Sequence, residues 1–203
     1  MLYDIGKALT RLILRVLGRW KVEGAENFPP EGGVILAPNH ISYLDPPAAG
    51  SAIERPTWFM AKEELFKIPV LGWLITRTRA FPVRRGTADR RALRRAMELL
   101  DNGEVVTIFP EGQRSPDGKL GEPELGFALI ALKTRAPVVP MALIGTDTVL
   151  PRHCWYFKFG HVTIRIGKPM TFPDLYDGKP DKAKLKEVGR RVMAQIARLQ
   201  EGA

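Results

Sequence analysis

The stretch VILAPNHISYLDPPAA, residues 34–49, carries the pattern from which the fold can be read. Val34-Ile35-Leu36-Ala37 is a short unbroken apolar run, as expected of a strand buried on both faces, and such strands belong to parallel sheets covered by helices. The run stops at Pro38, and Asn39 and His40 follow. Asp45-Pro46-Pro47-Ala48-Ala49 then reads as a helix start, with Asp45 as N-cap and proline in the first turn. Strand, polar loop and helix start together make the opening of a β–loop–α unit.

The same alternation continues downstream. Further strands are expected at 57–61, 80–83, 104–109, 138–144 and 162–166, and helices at 88–100, 125–134 and 182–199. In the helix at 88–100, Leu93, Met97 and Leu100 face inward and Arg90, Arg91, Arg94 and Arg95 outward, with Asn102-Gly103 closing it. Alternation of this kind predicts an α/β fold: a mixed, largely parallel sheet flanked by helices. The expected organisation is an N-terminal amphipathic helix over 1–22 and one α/β domain over 23–203.

Composition narrows the chemistry. With 203 residues, 45% hydrophobic and 26% charged, the chain is long and apolar enough for one globular core. A single cysteine, Cys154, excludes an intrachain disulfide, and three histidines (His40, His153, His161) do not suggest a metal centre. The net charge of +9 points to an anionic partner. No run approaches the roughly 18 apolar residues of a spanning helix, and Arg11, Arg15 and Arg19 interrupt what would be the core of a signal peptide.

Residues 4–20 project as an amphipathic helix. Lys7, Arg11, Arg15 and Arg19 recur every fourth position, with Ile5, Leu9, Leu12, Ile13, Val16, Leu17 and Trp20 largely opposite. Such a helix either packs on the core or lies on a membrane. The polar face has no acidic residue between Lys7 and Arg19, which favours an anionic bilayer, with Lys7, Arg11, Arg15, Arg19 and Trp20 as its contacts.

Reactive groups in open α/β sheets gather beyond the carboxyl ends of strands. Two polar clusters fall there: Asn39-His40, and Glu111-Gly112-Gln113-Arg114-Ser115 after the strand at 104–109. A histidine can serve as general base when a second group fixes its tautomer. His40 and Asp45 would be about 140° apart on an ideal helix, so the segment between them must bend for the two to meet. In the second cluster Arg114 offers a planar fork to a phosphate and Gly112 room for a substrate. The plainer alternative is an exposed Glu111–Arg114 ion pair. The apolar residues 66–75 either line an acyl groove or pack as ordinary core.

Taken in order, NHISYLDP (39–46), AFPVRRG (80–86), FPEGQRS (109–115) and APVVPMALIGT (136–146) resemble the four motifs of the glycerolipid acyltransferase superfamily. The likeness is greatest to bacterial 1-acyl-sn-glycerol-3-phosphate acyltransferases. The resemblance implies a general base at His40 oriented by Asp45, and substrate-binding roles for Lys62, Arg85, Glu111, Gly112, Arg114, Ser115 and Pro140. It implies transfer of an acyl group from coenzyme A or acyl carrier protein to lysophosphatidic acid, without metal or cofactor. It further implies a peripheral or monotopic position on the cytoplasmic face of the cell membrane. One departure stands out: Pro123-Glu124-Leu125-Gly126 replaces the family's usual Phe-Lys-x-Gly, putting a carboxylate where a lysine is common. Within the same superfamily the alternative acceptor is glycerol 3-phosphate or another lyso-lipid, and two rivals of a different class are a non-catalytic anionic-lipid binder and a nucleic-acid binder. The chain has no helix-turn-helix, zinc spacing or aromatic platform for the latter, so no nucleic acid is expected.

Overall fold

All five residues of Val34–Pro38 are buried, because this strand lies inside a sheet with helices on both faces. The structure is a computed structural model describing residues 1–84, 86, 89–151, 154 and 156–202. Its strands are β1 (Lys21–Glu23), β2 (Val34–Pro38), β3 (Thr57–Lys62), β4 (Ala80–Val83), β5 (Val105–Thr107), β6 (Val138–Ile144) and β7 (Thr163–Ile166). They form one seven-stranded sheet in the order β1-β7-β6-β2-β5-β3-β4. Every neighbouring pair from β6 to β4 is parallel; β7 runs antiparallel to β6, and β1 pairs with β7 in parallel. This is the mixed, largely parallel α/β sheet expected from the sequence.

The helices are α1 (Leu2–Val16), α2 (Asp45–Ala52), α3 (Pro69–Arg77), α4 (Arg90–Asp101), α5 (Leu125–Thr134), α6 (Thr146–Val149) and α7 (Lys182–Glu201). Strand periodicity divides the core between the two faces. Ile35 and Val106 point to one side, where Ala96 and Leu99 of α4, Phe127 and Ile130 of α5, and Val192 and Ile196 of α7 cover them. Val34, Leu36 and Val105 point to the other, against Leu14 of α1 and Ala48, Ala49 and Ala52 of α2. Full burial of one such aliphatic side chain contributes about 1.5–3 kcal/mol.

The connections fix where a site can form. From β2 the chain crosses through α2 to β3, toward the β4 edge; from β5 it crosses through α5 to β6, the other way and over the opposite face. The two adjacent strands β2 and β5 therefore send their outgoing loops apart, which leaves a crevice at their carboxyl ends.

The N-terminal helix corrects one expectation. Its cations do not form a free stripe. Lys7 Nζ donates to Ile53 O at 2.6 Å and Glu54 O at 2.9 Å. Arg11 Nε donates to Ser51 O at 2.9 Å, and its Nη2 meets Glu54 at 3.0 Å. These carbonyls end α2, where the helix dipole is negative and cations are favoured. The helix stops at Val16, leaving Arg15 and Arg19 exposed, while Trp20 packs half-buried against the core instead of standing out toward a bilayer. Turning the cations inward leaves the apolar stripe outside: Ile5, Leu9, Leu12 and Val16 are 55–57% exposed.

Residues 66–75 do not join either core cluster, against the expectation of ordinary core. They belong to a 3-10 turn and to α3, and Ile68, Val70, Trp73 and Leu74 are exposed, Val70 by 80%. Among the described residues no helix is long and apolar enough to cross a membrane.

Candidate active site

The site begins where β2 ends. The Asn39 side chain accepts from Leu143 N–H at 2.7 Å and donates to Leu143 O at 3.0 Å. Its backbone N–H reaches Met141 O. An amide side chain thus continues the β2–β6 ladder past Pro38 and gives His40 a fixed point of departure.

Residues 41–44 then bend, as the spacing of His40 and Asp45 required. Asp45 Oδ2 meets His40 Nδ1 at 2.8 Å and accepts from the backbone N–H groups of Ile41 and Ser42, both at 2.6 Å. Asp45 Oδ1 accepts from Thr146 Oγ1 at 2.5 Å. The expected N-cap role is not found: Leu44 occupies the cap of α2, and the Asp45 carboxylate turns back to the loop before it. Asp45 is fully buried and His40 is 7% exposed, so the four donors offset the cost of burying the carboxylate. An oxygen already accepting from two amides can only be an acceptor toward the ring. His40 Nδ1 therefore donates, and Nε2 keeps a lone pair that can accept a proton. Phe109 stacks on the imidazole at 4.0 Å between centroids and 26° between planes, restricting ring rotation.

The loop leaving β5 holds His40 from the other side. Glu111 is buried; its Oε1 accepts the His40 backbone N–H at 3.0 Å and its Oε2 the Gly121 N–H at 2.9 Å. Burial pushes the Glu111 carboxyl pKa up, and these two amide bonds partly oppose the shift. Ser115 N–H donates to His40 O at 2.7 Å. In this structure both residues hold the peptide groups of His40, a different placement from the substrate contact that the resemblance implies. Glu111 and Arg114 do not pair. The Arg114 guanidinium lies 3.5 Å from the centroid of the Tyr43 ring, and its Nη1 is buried with no hydrogen-bond partner among the described residues.

Phe109, which stacks on His40, also lines a cavity of about 460 Å³ that is walled largely by apolar groups, including Met60, Leu93, Ile108, Leu125 and Phe127. Gly112 and Glu124 also line it. Gly112 has φ 69°, and a Cβ there would stand 2.8 Å from Glu124 Cγ, so both backbone and space require glycine.

The remaining sequence candidates fall variously. Lys62 ends β3 on the same sheet edge and pairs with Glu64 at 3.3 Å. Pro140 is a buried β6 residue in register with Ala37, and it is not among the residues that line the cavity. Arg85 lies outside the described residues; its neighbour Arg84 lines the cavity and pairs with Glu63 at 2.7 Å. Sequence reasoning assigned no part to the Asn39 clamp, Tyr43, Phe109 or Thr146. For Thr146 the only signal was its place at the end of the fourth motif, after Gly145.

Several known proteins are similar to this chain. A family model described as "Acyltransferase" matches residues 19–144. The chloroplastic 1-acyl-sn-glycerol-3-phosphate acyltransferase BAT2 of Brassica napus is 36% identical over 166 residues, 79% of this chain and 46% of that protein. The chain thus spans less than half the length of the plant proteins that it matches. The 1-acyl-sn-glycerol-3-phosphate acyltransferase of Bacillus subtilis is 31% identical over 192 residues, 94% of this chain and 92% of that one. The crystal structure of the 1-acyl-sn-glycerophosphate acyltransferase PlsC from Thermotoga maritima superposes with a TM-score of 0.77 at 34% identity, covering 98% of this chain and 79% of its own. With His40, Asp45 and the loop after β5 all inside the matched span, the chain belongs to the acyltransferase family.

Proposed function

We propose that the protein transfers a fatty acyl group from an acyl thioester to the free sn-2 hydroxyl of 1-acyl-sn-glycerol 3-phosphate, giving phosphatidic acid. The observation that carries this reading is the buried Asp45–His40 pair set beside both an apolar cavity and an unpartnered guanidinium edge. A base, a space for a chain and a vacant anion donor are what acylation of a phosphate-bearing alcohol requires. The relatives carrying this activity in their names support it.

In the proposed step His40 Nε2 takes the hydroxyl proton as the oxygen attacks the thioester carbonyl carbon. The C–O bond forms, the C–S bond breaks, and the imidazolium returns its proton to the departing thiolate. Asp45 favours the imidazolium and holds the tautomer. Base catalysis of this kind contributes roughly 10²- to 10⁴-fold. The Arg114 guanidinium donates to the phosphate oxygens, and the apolar cavity receives an acyl chain. The reaction as written uses neither metal nor cofactor.

The second substrate is an acyl thioester of coenzyme A or of acyl carrier protein; for the latter, the outward arginines of α4 offer a surface complementary to an acidic carrier. The protein would work at the cytoplasmic face of the membrane, seated through the exposed apolar stripe of α1 and the exposed apolar residues of α3. Nucleic acid has no part in this reading.

The test is turnover. Purified protein given lysophosphatidic acid and an acyl thioester is expected to release thiol and form phosphatidic acid. His40→Ala is expected to lose at least about 10²-fold in rate while keeping its fold by circular dichroism. Full turnover by the folded variant would refute the assignment.

A further inference from the structure

Tyr43 stands between two anchored neighbours. Ser42 is fully buried and its Oγ donates to Leu150 O at 2.8 Å, while Leu44 is buried and its N–H donates to Ser42 Oγ at 3.1 Å. With both flanks tied down, the Tyr43 ring is presented outward, 59% exposed. Its face meets the Arg114 guanidinium at 3.5 Å from the ring centroid, well inside the roughly 6 Å reach of a cation–π contact. One loop thus supplies the ring and the other the cation, three residues after His40 in the first and one before Ser115, which binds His40, in the second.

Stacking occupies a face of the guanidinium and leaves its donor edges for an anion. Arg114 Nη1 is buried and has no partner among the described residues. A buried charged donor left unpaired is costly, and an oxyanion delivered by a ligand removes that cost. From these observations we infer that Tyr43 is a positioning residue for the anionic group of the acceptor: its ring holds the Arg114 fork in the plane that receives phosphate beside His40. The inference deepens the proposed acyltransferase reading and rests on it for the identity of the acceptor, but the anion grip itself is testable without turnover.

Tyr43→Phe keeps the ring; Tyr43→Ala removes it from an exposed position, where loss of fold is not expected. In the acylation assay Tyr43→Ala is expected to raise the KM for lysophosphatidic acid roughly 5- to 30-fold, the factor a partly desolvated cation–π contact supports. The thioester KM should stay constant, kcat at saturating acceptor should change by no more than about twofold, and Tyr43→Phe should restore the wild-type acceptor KM. In an Arg114→Lys background, which has no planar fork to align, the added effect of Tyr43→Ala should shrink to about twofold or less. Binding of glycerol 3-phosphate, followed by NMR, should weaken in Tyr43→Ala by a similar factor. If wild-type protein binds this anion in a Tyr43-dependent way but acylates no lysophospholipid, the acyltransferase reading fails and the grip stands. An unchanged acceptor KM and unchanged anion binding in Tyr43→Ala, or an undiminished effect in the Arg114→Lys background, would overturn the inference.

Discussion

Replacing Asp45 by asparagine removes one charge and almost no volume, and the structure separates its consequences. The asparagine carbonyl can take the place of Oδ2 and keep the three contacts to His40 Nδ1, Ile41 N–H and Ser42 N–H. Its amide would then face Thr146 Oγ1, which can accept in place of donating. The fold should survive with a loss of about 1 kcal/mol. Catalysis should not. When His40 takes a proton it becomes an imidazolium 2.8 Å, nitrogen to oxygen, from the carboxylate. For charge centres on the order of 4 Å apart and an effective dielectric of about 20, the attraction is about 4 kcal/mol. At 1.36 kcal/mol per decade that sets an upper bound of about 10³ on the lost rate. Steady-state kinetics should therefore show kcat down by about 10² to 10³ with the acceptor KM little changed, since Asp45 lies behind the imidazole. Asp45→Ala serves as the contrast: it leaves the buried Ser42 N–H unpaired, at about 1–3 kcal/mol, and the part-buried Ile41 N–H as well, and should lower the unfolding midpoint markedly. An Asp45→Asn enzyme within about threefold of wild-type kcat would refute the role given to the carboxylate.

Glu111→Gln has one carbonyl for two amides, so either the His40 or the Gly121 N–H must face an NH₂ group; a loss of about 1–3 kcal/mol in urea unfolding and a fall in activity are expected. Because burial raises the folded-state pKa of Glu111, its contribution to stability is fully present below the ordinary glutamate pKa and is lost as pH rises through the folded value. Glu111→Gln should remove that dependence from a series of unfolding curves at mildly acidic pH. Leu9→Glu with Leu12→Glu puts charge on the exposed stripe of α1 and should abolish flotation with anionic liposomes without changing the melting temperature. Lys7→Glu, by contrast, opposes the carbonyls at the end of α2 and should lower that temperature; the reverse pattern would show that the cations and not the apolar stripe hold the membrane.

Much of this architecture is local in origin and so legible in the chain. The run at 34–37 is apolar because both sheet faces are covered there, and the arginines of α4 alternate with Ala92 and Ala96 because only one side of that helix meets the core. What was not legible depended on distant partners. The cations of α1 look like a membrane face until the end of α2, some forty residues away, is placed beside Lys7 and Arg11. Asp45 looks like a cap until Thr146 and the bent loop claim its oxygens. Glu111 reads as a substrate ligand until its oxygens are found on two backbone amides. The apolar residues 66–75 read as an acyl groove or as core, and their composition does not tell core from an exposed apolar surface.

The bonds around His40 also bear on when the site comes into being. Its amide is held by a residue 71 positions on, Asp45 by one 101 positions on, and Asn39 by one 104 positions on. Such closures cost entropy that is recovered only once the intervening strands have docked, so they belong to the late part of folding. During synthesis the NHISYLDP loop emerges early, yet it has no oriented base until the segment through Thr146 has been made. On the proposed reading the chemistry is thereby coupled to completion of the sheet, and a chain halted before β6 would carry the motif without the activity.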